Sequence, residues 1–282
     1  MITLKNETLT VTINPFGAEL SSIQKNADGK EYIWQGDPTI WNGRSPLLFP
    51  IAGRLKKDMY TYHYKNYSLP KHGFARKSGF EIVSSTPTNA VFSLTDTPKT
   101  LISYPFPFCL TAEYALSGQT LTVTNRVRNT GESTMYFSFG AHPAFNIQVG
   151  DSVVFEKEET FTTALFDSFG LMCGEKTIAE NTDTLVIDEH IFDNDAVFFE
   201  NMKSQSAKIV AQNGKEVLKM TYGNVPYLGL WAKPNAPYVC IEPWYGMADC
   251  PDVSGELEEK PCILSLDPEK EFVFTYTIEI LN

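Results

Sequence analysis

The sequence has 282 residues, 43% hydrophobic and 13% aromatic, a composition that can bury a large core and argues against disorder. Its formal charge of -11 repels polyanions, which makes nucleic acid a poor partner. No run of about 18 apolar residues is long enough to span a membrane, and residues 1–7 lack the basic and apolar regions of a signal peptide, so a cytoplasmic protein is expected.

From the N-terminus, residues 8–13 alternate threonine with Leu9, Val11 and Ile13, which predicts a strand with one apolar face. Asn14-Pro15-Phe16-Gly17 turns the chain. Residues 18–23 form a second strand, and Asn26-Ala27-Asp28-Gly29 makes a hairpin turn before a third at 31–34. Residues 59–68 continue the pattern, with Tyr60, Tyr62 and Tyr64 on one face and Thr61, His63 and Lys65 on the other, His63 toward solvent. Further strands are predicted at 81–84, 90–94, 110–116, 121–127, 136–139, 152–155, 196–199, 208–211, 217–220, 228–231 and 272–280. His190 falls in a polar stretch between strands and is expected in an exposed loop.

Apolar positions recur at two and hardly anywhere at three and four, and no Ser/Gly-rich linker divides the chain. The pattern predicts an all-β sandwich forming one domain over residues 1–282, which the family resemblance given below makes a large antiparallel β-sandwich. Cys109, Cys173, Cys240, Cys250 and Cys262 are odd in number and never spaced C-x-x-C, which argues against a disulfide scaffold and a zinc knuckle. Between residues 44 and 77, eight lysines and arginines stand against Asp58 alone, a net +7 in an acidic protein. This segment is either a solvated hairpin or a local attraction for a small anion.

The segment 238–246 ends an apolar run with Glu242, followed by Pro243, Trp244, Tyr245 and Gly246. Proline cannot donate to a ladder, so a strand is expected to stop near Glu242 and leave the carboxylate at its mouth. There it is either a strand-end cap or a general base, with Trp244 offering a face for a sugar ring. His142, followed by Pro143, is likewise expected at a strand mouth, and His72 in the loop leaving the tyrosine hairpin. Each histidine is otherwise a satisfied structural residue. Arg54 closes an apolar segment at a turn, where its fork of donors suits hydroxyls, carboxylate or phosphate. Two histidines and a carboxylate could form a facial triad for iron, but the local His-x-Asp/Glu pair is missing at both His72 and His142, and no metal is expected.

In chain order, Gly53-Arg54-Leu55, His72-Gly73-Phe74-Ala75-Arg76, His142-Pro143-Ala144-Phe145-Asn146 and Ile241-Glu242-Pro243-Trp244 resemble the aldose 1-epimerase (galactose mutarotase) family, in particular its bacterial branch of LacX-like proteins. The resemblance spans nearly the whole chain. It implies a β-sandwich with a sugar site on a concave face and interconversion of α and β anomers without a cofactor. It places the general acid on His142, the base on Glu242, and substrate contacts on His72, Arg54 and an aspartate, Asp195 or Asp193, of which spacing favours Asp195. Ala144 stands where galactose mutarotases have tyrosine, and Gly53-Arg54 where they have Asn-Arg, so galactose is not implied as the substrate. The same branch is similar to hexose-6-phosphate 1-epimerases, which adds Arg76 as a phosphate contact beside Arg54. The expected partner is thus a sugar or sugar phosphate, and a carbohydrate-binding protein without catalysis is the remaining alternative. For the acid and base to act, Glu242 is expected ionised and His142 protonated, each stabilised by the other.

Overall fold

Along the strand Glu271–Ile280, Phe274, Tyr276, Ile278 and Ile280 are buried while Glu271, Val273, Thr275 and Glu279 face water. The same alternation governs Phe108–Ser117 and Thr120–Asn129, and it is what lets these strands cover a core from one side. A computed structural model describes residues 1–281. Among them, a three-stranded antiparallel sheet (Ile2–Lys5, Leu9–Asn14, Glu19–Lys25) stands beside a fifteen-stranded one, and the molecule is the antiparallel β-sandwich expected. One set of buried apolar side chains runs from Leu4 to Ile280. Among the described residues, no helix is long and apolar enough to cross a membrane.

Part of the large sheet carries the cleft described below. Its order there is Leu47–Leu48, Phe139–Ala141, Tyr238–Tyr245, Tyr227–Trp231, Val197–Glu200 and Ser152–Phe166, with Ala144–Asn146 also paired to Tyr238–Tyr245.

The strand at Glu242 does not stop there. It runs from Tyr238 to Tyr245 with Glu242 in its interior and Pro243 opposite Leu228 of the neighbouring strand. On its other side the ladder is interrupted: Phe139 and Gly140 pair with Tyr245 and Trp244, and pairing resumes at Ala144 with Cys240. Pro243 falls opposite that break, where a residue without an N–H is tolerated.

Three other expectations change. The tyrosine segment is a hairpin of Met59–Tyr62 and Lys65–Ser68 that turns at His63 and Tyr64, both with positive φ, so Tyr64 is exposed instead of sharing a face with Tyr60 and Tyr62. Residues 31–34 make isolated bridges and no continuous strand. The strand predicted at 152–155 continues to Phe166 and pairs with Met172–Val186. That partner is mostly exposed, so burial imposes no alternation on it.

Candidate active site

The break in the ladder positions the two central groups. The register on either side of it is the same, and carried across the gap it sets His142 directly opposite Glu242. Pro143 O accepts from Ile241 N at 3.2 Å within the gap. Both side chains point to one side, and His142 Nε2 lies 3.2 Å from Glu242 Oε2, each side chain less than a tenth exposed. Gly229 pairs with Glu242 from the other neighbouring strand. A Cβ there would lie 2.7 Å from the Phe198 ring, so only glycine leaves room for that ring in the cleft.

His72 is held by the loop before it. Its N–H donates to Gly53 O at 2.8 Å, and its Nδ1 accepts from Gly53 N at 3.1 Å. An accepting Nδ1 means a neutral ring with its hydrogen on Nε2, a donor that needs no titration. Burial agrees, pushing the His72 pKa well below that of a free histidine, with the Lys71 charge adding to the effect. The ring meets His142 edge-on at 6.1 Å and Trp244 at 5.4 Å.

Around these three lies a cleft of about 340 Å³. Trp41 stacks on His142 at 5.3 Å and Trp231 meets it edge-on at 5.7 Å, so the imidazole is walled by rings. Arg54 lines the rim, but its Nε and Nη2 bind the two oxygens of Asp58 at 2.8 Å each, and Nη1 donates to Phe169 O at 3.2 Å. The fork expected to address sugar hydroxyls is therefore turned toward Asp58, leaving its remaining hydrogens for a ligand. Asp195 lines the cleft and accepts from Trp231 Nε1 at 2.9 Å; Asp193 instead pairs with His190 on the exposed loop expected for that histidine. Arg76 lines the cleft, with Nη2 donating to Lys71 O at 2.9 Å and Nε buried without a partner. Trp244 also lines it.

Sequence reasoning missed Lys71, Trp41, Trp231, Phe198 and Lys233, all of which line the cleft. One signal was present: three of the four tryptophans come together here, and that ring is uncommon enough for its clustering to be informative.

The electrostatics overturn one expectation. Burial dominates both members of the central pair, lowering His142 to about 3 and pushing Glu242 well above the usual carboxylate range. The charges of Lys71 and Arg76 depress His142 further. Burial therefore works against the ionised form of the pair and favours the neutral one. Passing a proton from Glu242 to His142 Nε2 across the 3.2 Å contact would give the ionised form without exchange with solvent.

Eight buried side-chain polar atoms among the described residues lack a hydrogen-bond partner, and four belong to this cleft: Arg76 Nε, His142 Nδ1, Glu242 Oε1 and Trp244 Nε1. Such atoms are expensive to leave unmet, and a ligand rich in hydroxyls would satisfy them. For a metal, the grouping present is His142, Cys240 and Glu242, whose ligand atoms lie within 4.8 Å of one another; His72 is not part of it.

The family model described as aldose 1-epimerase matches residues 1–276 of this chain. The chain belongs to the aldose 1-epimerase family. Two curated relatives in this family, the chromosomal and plasmid forms of protein LacX from Lactococcus lactis subsp. lactis, are each 33% identical over 298 residues, covering 100% of this chain and 99% of theirs. Among solved structures, a galactose mutarotase related enzyme from Lactobacillus acidophilus superposes with a TM-score of 0.94 at 30% identity, covering 99% of this chain and 97% of its own. A galactose mutarotase-like protein from Lactobacillus casei gives 0.94 at 26%, with all of both chains covered. Galactose 1-epimerase from Lactobacillus acidophilus NCFM shares the aldose 1-epimerase fold at a TM-score of 0.68 and 16% identity, over 99% of this chain and 93% of its own.

Proposed function

We propose that this protein is a mutarotase that interconverts the α and β anomers of an aldohexose by opening and reclosing the ring. The observation that carries the proposal is the His142–Glu242 pair, 3.2 Å apart at the floor of an aromatic cleft. With the shared proton on His142, Glu242 takes the proton of the C1 hydroxyl while His142 Nε2 gives its own to the ring oxygen. The bond between C1 and the ring oxygen breaks, leaving an aldehyde. Rotation about C1–C2 presents the other carbonyl face. The steps then run in reverse, returning each proton to its starting group, so no cofactor is consumed. His72 Nε2–H, Asp195 and the free hydrogens of Arg54 orient hydroxyls, and Trp244 packs against the apolar side of the sugar.

The test is polarimetric mutarotation of freshly dissolved α-glucose and α-galactose by wild type and by Glu242→Gln. A folded wild type that binds sugar without accelerating mutarotation would leave a carbohydrate-binding protein instead.

A specific observation favours a second reading, a hexose-6-phosphate 1-epimerase. Lys71, Arg76 and Lys233 line the cleft with Arg54, against Asp195 and a neutral Glu242, and Arg76 Nε is without a partner. A site so charged suits an anionic end on the sugar, and arginine can hold phosphate through two parallel bonds. Equal kcat/KM on glucose and glucose 6-phosphate would remove this reading and leave the first intact.

A further inference from the structure

We propose that His142, Cys240 and Glu242 form a binding site for a zinc-like divalent ion, one that closes the central pair of the cleft. The site is built by the sheet. Cys240 and Glu242 are two residues apart on the strand Tyr238–Tyr245 and so share a face, and His142 stands opposite Glu242 across the ladder break. An imidazole nitrogen, a thiol sulfur and a carboxylate oxygen thus converge within 4.8 Å of one another, all three side chains buried.

The donor set selects the ion. A nitrogen and a sulfur ligand suit zinc and its neighbours and disfavour magnesium and calcium, which take oxygen. Tetrahedral donors at zinc bond lengths stand roughly 3.3–3.7 Å apart, so the His142–Glu242 separation of 3.2 Å is already close and the thiol has about 1 Å to travel. Three protein ligands leave a fourth position on the cleft side for water or a sugar hydroxyl.

Charge balance makes the exchange feasible among lysines and arginines. A dication held by the Cys240 thiolate, the Glu242 carboxylate and a neutral His142 imidazole carries no net charge, and the thiol proton leaves as the metal–sulfur bond forms.

Titration of the wild-type protein with Co²⁺ tests the site, because a cobalt–thiolate bond has an intense near-ultraviolet charge-transfer band. The band should saturate at one equivalent, and calorimetry with Zn²⁺ in buffers of different ionisation enthalpy should show proton release on binding. Cys240→Ala should remove the band and weaken Zn²⁺ binding by at least roughly the tenfold that loss of an outer-shell partner costs. Absence of the band in the wild type, or a band unchanged in Cys240→Ala, would overturn the proposal. Because the readout is a spectrum of the cobalt protein, it stands apart from whether the cleft turns over a sugar.

Discussion

Gly53 and His72 are joined twice, the glycine N–H donating to Nδ1 at 3.1 Å and its carbonyl accepting from the histidine N–H at 2.8 Å. This double link fixes both the place and the tautomer of a ring that faces the cleft. Gly53 has φ of +82°, and a Cβ on it would lie 2.5 Å from Ala248 N. Gly53→Asn, which restores the Asn-Arg pair of galactose mutarotases, should therefore destabilise the protein by about 1–3 kcal/mol and displace His72. Thermal denaturation together with KM measures both effects.

Glu242→Gln and His142→Asn should each lower kcat about 10²–10⁴-fold in polarimetric mutarotation. Both replacements keep a polar group of similar size in a neutral site, so far-ultraviolet circular dichroism should be unchanged. Either variant at the wild-type rate would remove that residue from the chemistry.

The neutral resting pair predicts an unusual pH–rate profile. The pair holds one proton between a histidine lowered to about 3 and a raised carboxyl, so it titrates as a unit, away from the ordinary histidine range. The rate should therefore lack the inflection that an ordinary histidine gives near about 6.5. An inflection near 6.5 in wild type, absent in His142→Asn, would contradict the neutral pair.

Stability should respond to the same burial. His72 and His142 bind protons in the unfolded chain at a higher pH than in the folded one. Their contribution is full above about pH 6.5, the unfolded value, and is lost as pH falls toward their lowered folded values, about 3 for His142. Glu242 acts with the opposite sign: its contribution is full below its unfolded value and fades as pH rises toward its raised folded one. The acid limb of a plot of Tm against pH should be shallower in His72→Gln than in wild type.

Asp249 and Lys260 form a buried ion pair of 2.6 Å, in which Lys260 Nζ also donates to Met247 O and Asp249 Oδ2 accepts from Lys56 N. The Asp249 backbone binds Arg54 O and Met172 N, so this residue ties together three segments around the cleft. Lys260→Met should cost about 3–5 kcal/mol by leaving a buried carboxylate unpaired. Urea denaturation at neutral pH measures it.

The fold was legible because burial on one face imposes a period of two on nearly every core strand, Glu271–Ile280 above all. Met172–Val186 escaped because its side chains are exposed on both faces. The candidate site was legible where it was local: His72 and His142 lie in short runs with glycine or proline, and Glu242 precedes a proline. Its ionisation was not, because the cost of removing charge from water depends on Trp41, Trp231 and Phe198, which arrive from elsewhere in the chain. The end of the strand at Glu242 was misjudged because the prohibition on proline applies only where a partner asks for its N–H, and the break opposite Pro243 asks for none.

That break separates two design problems. The spacing of His142 and Glu242 is a lattice constant of the sheet, whereas Trp41, Lys71 and Gly170 sit on connections between strands. On the proposed mechanism the ladder sets the reacting distance and those connections set substrate preference, so an engineer wanting a new sugar should rebuild the connections and leave the ladder alone.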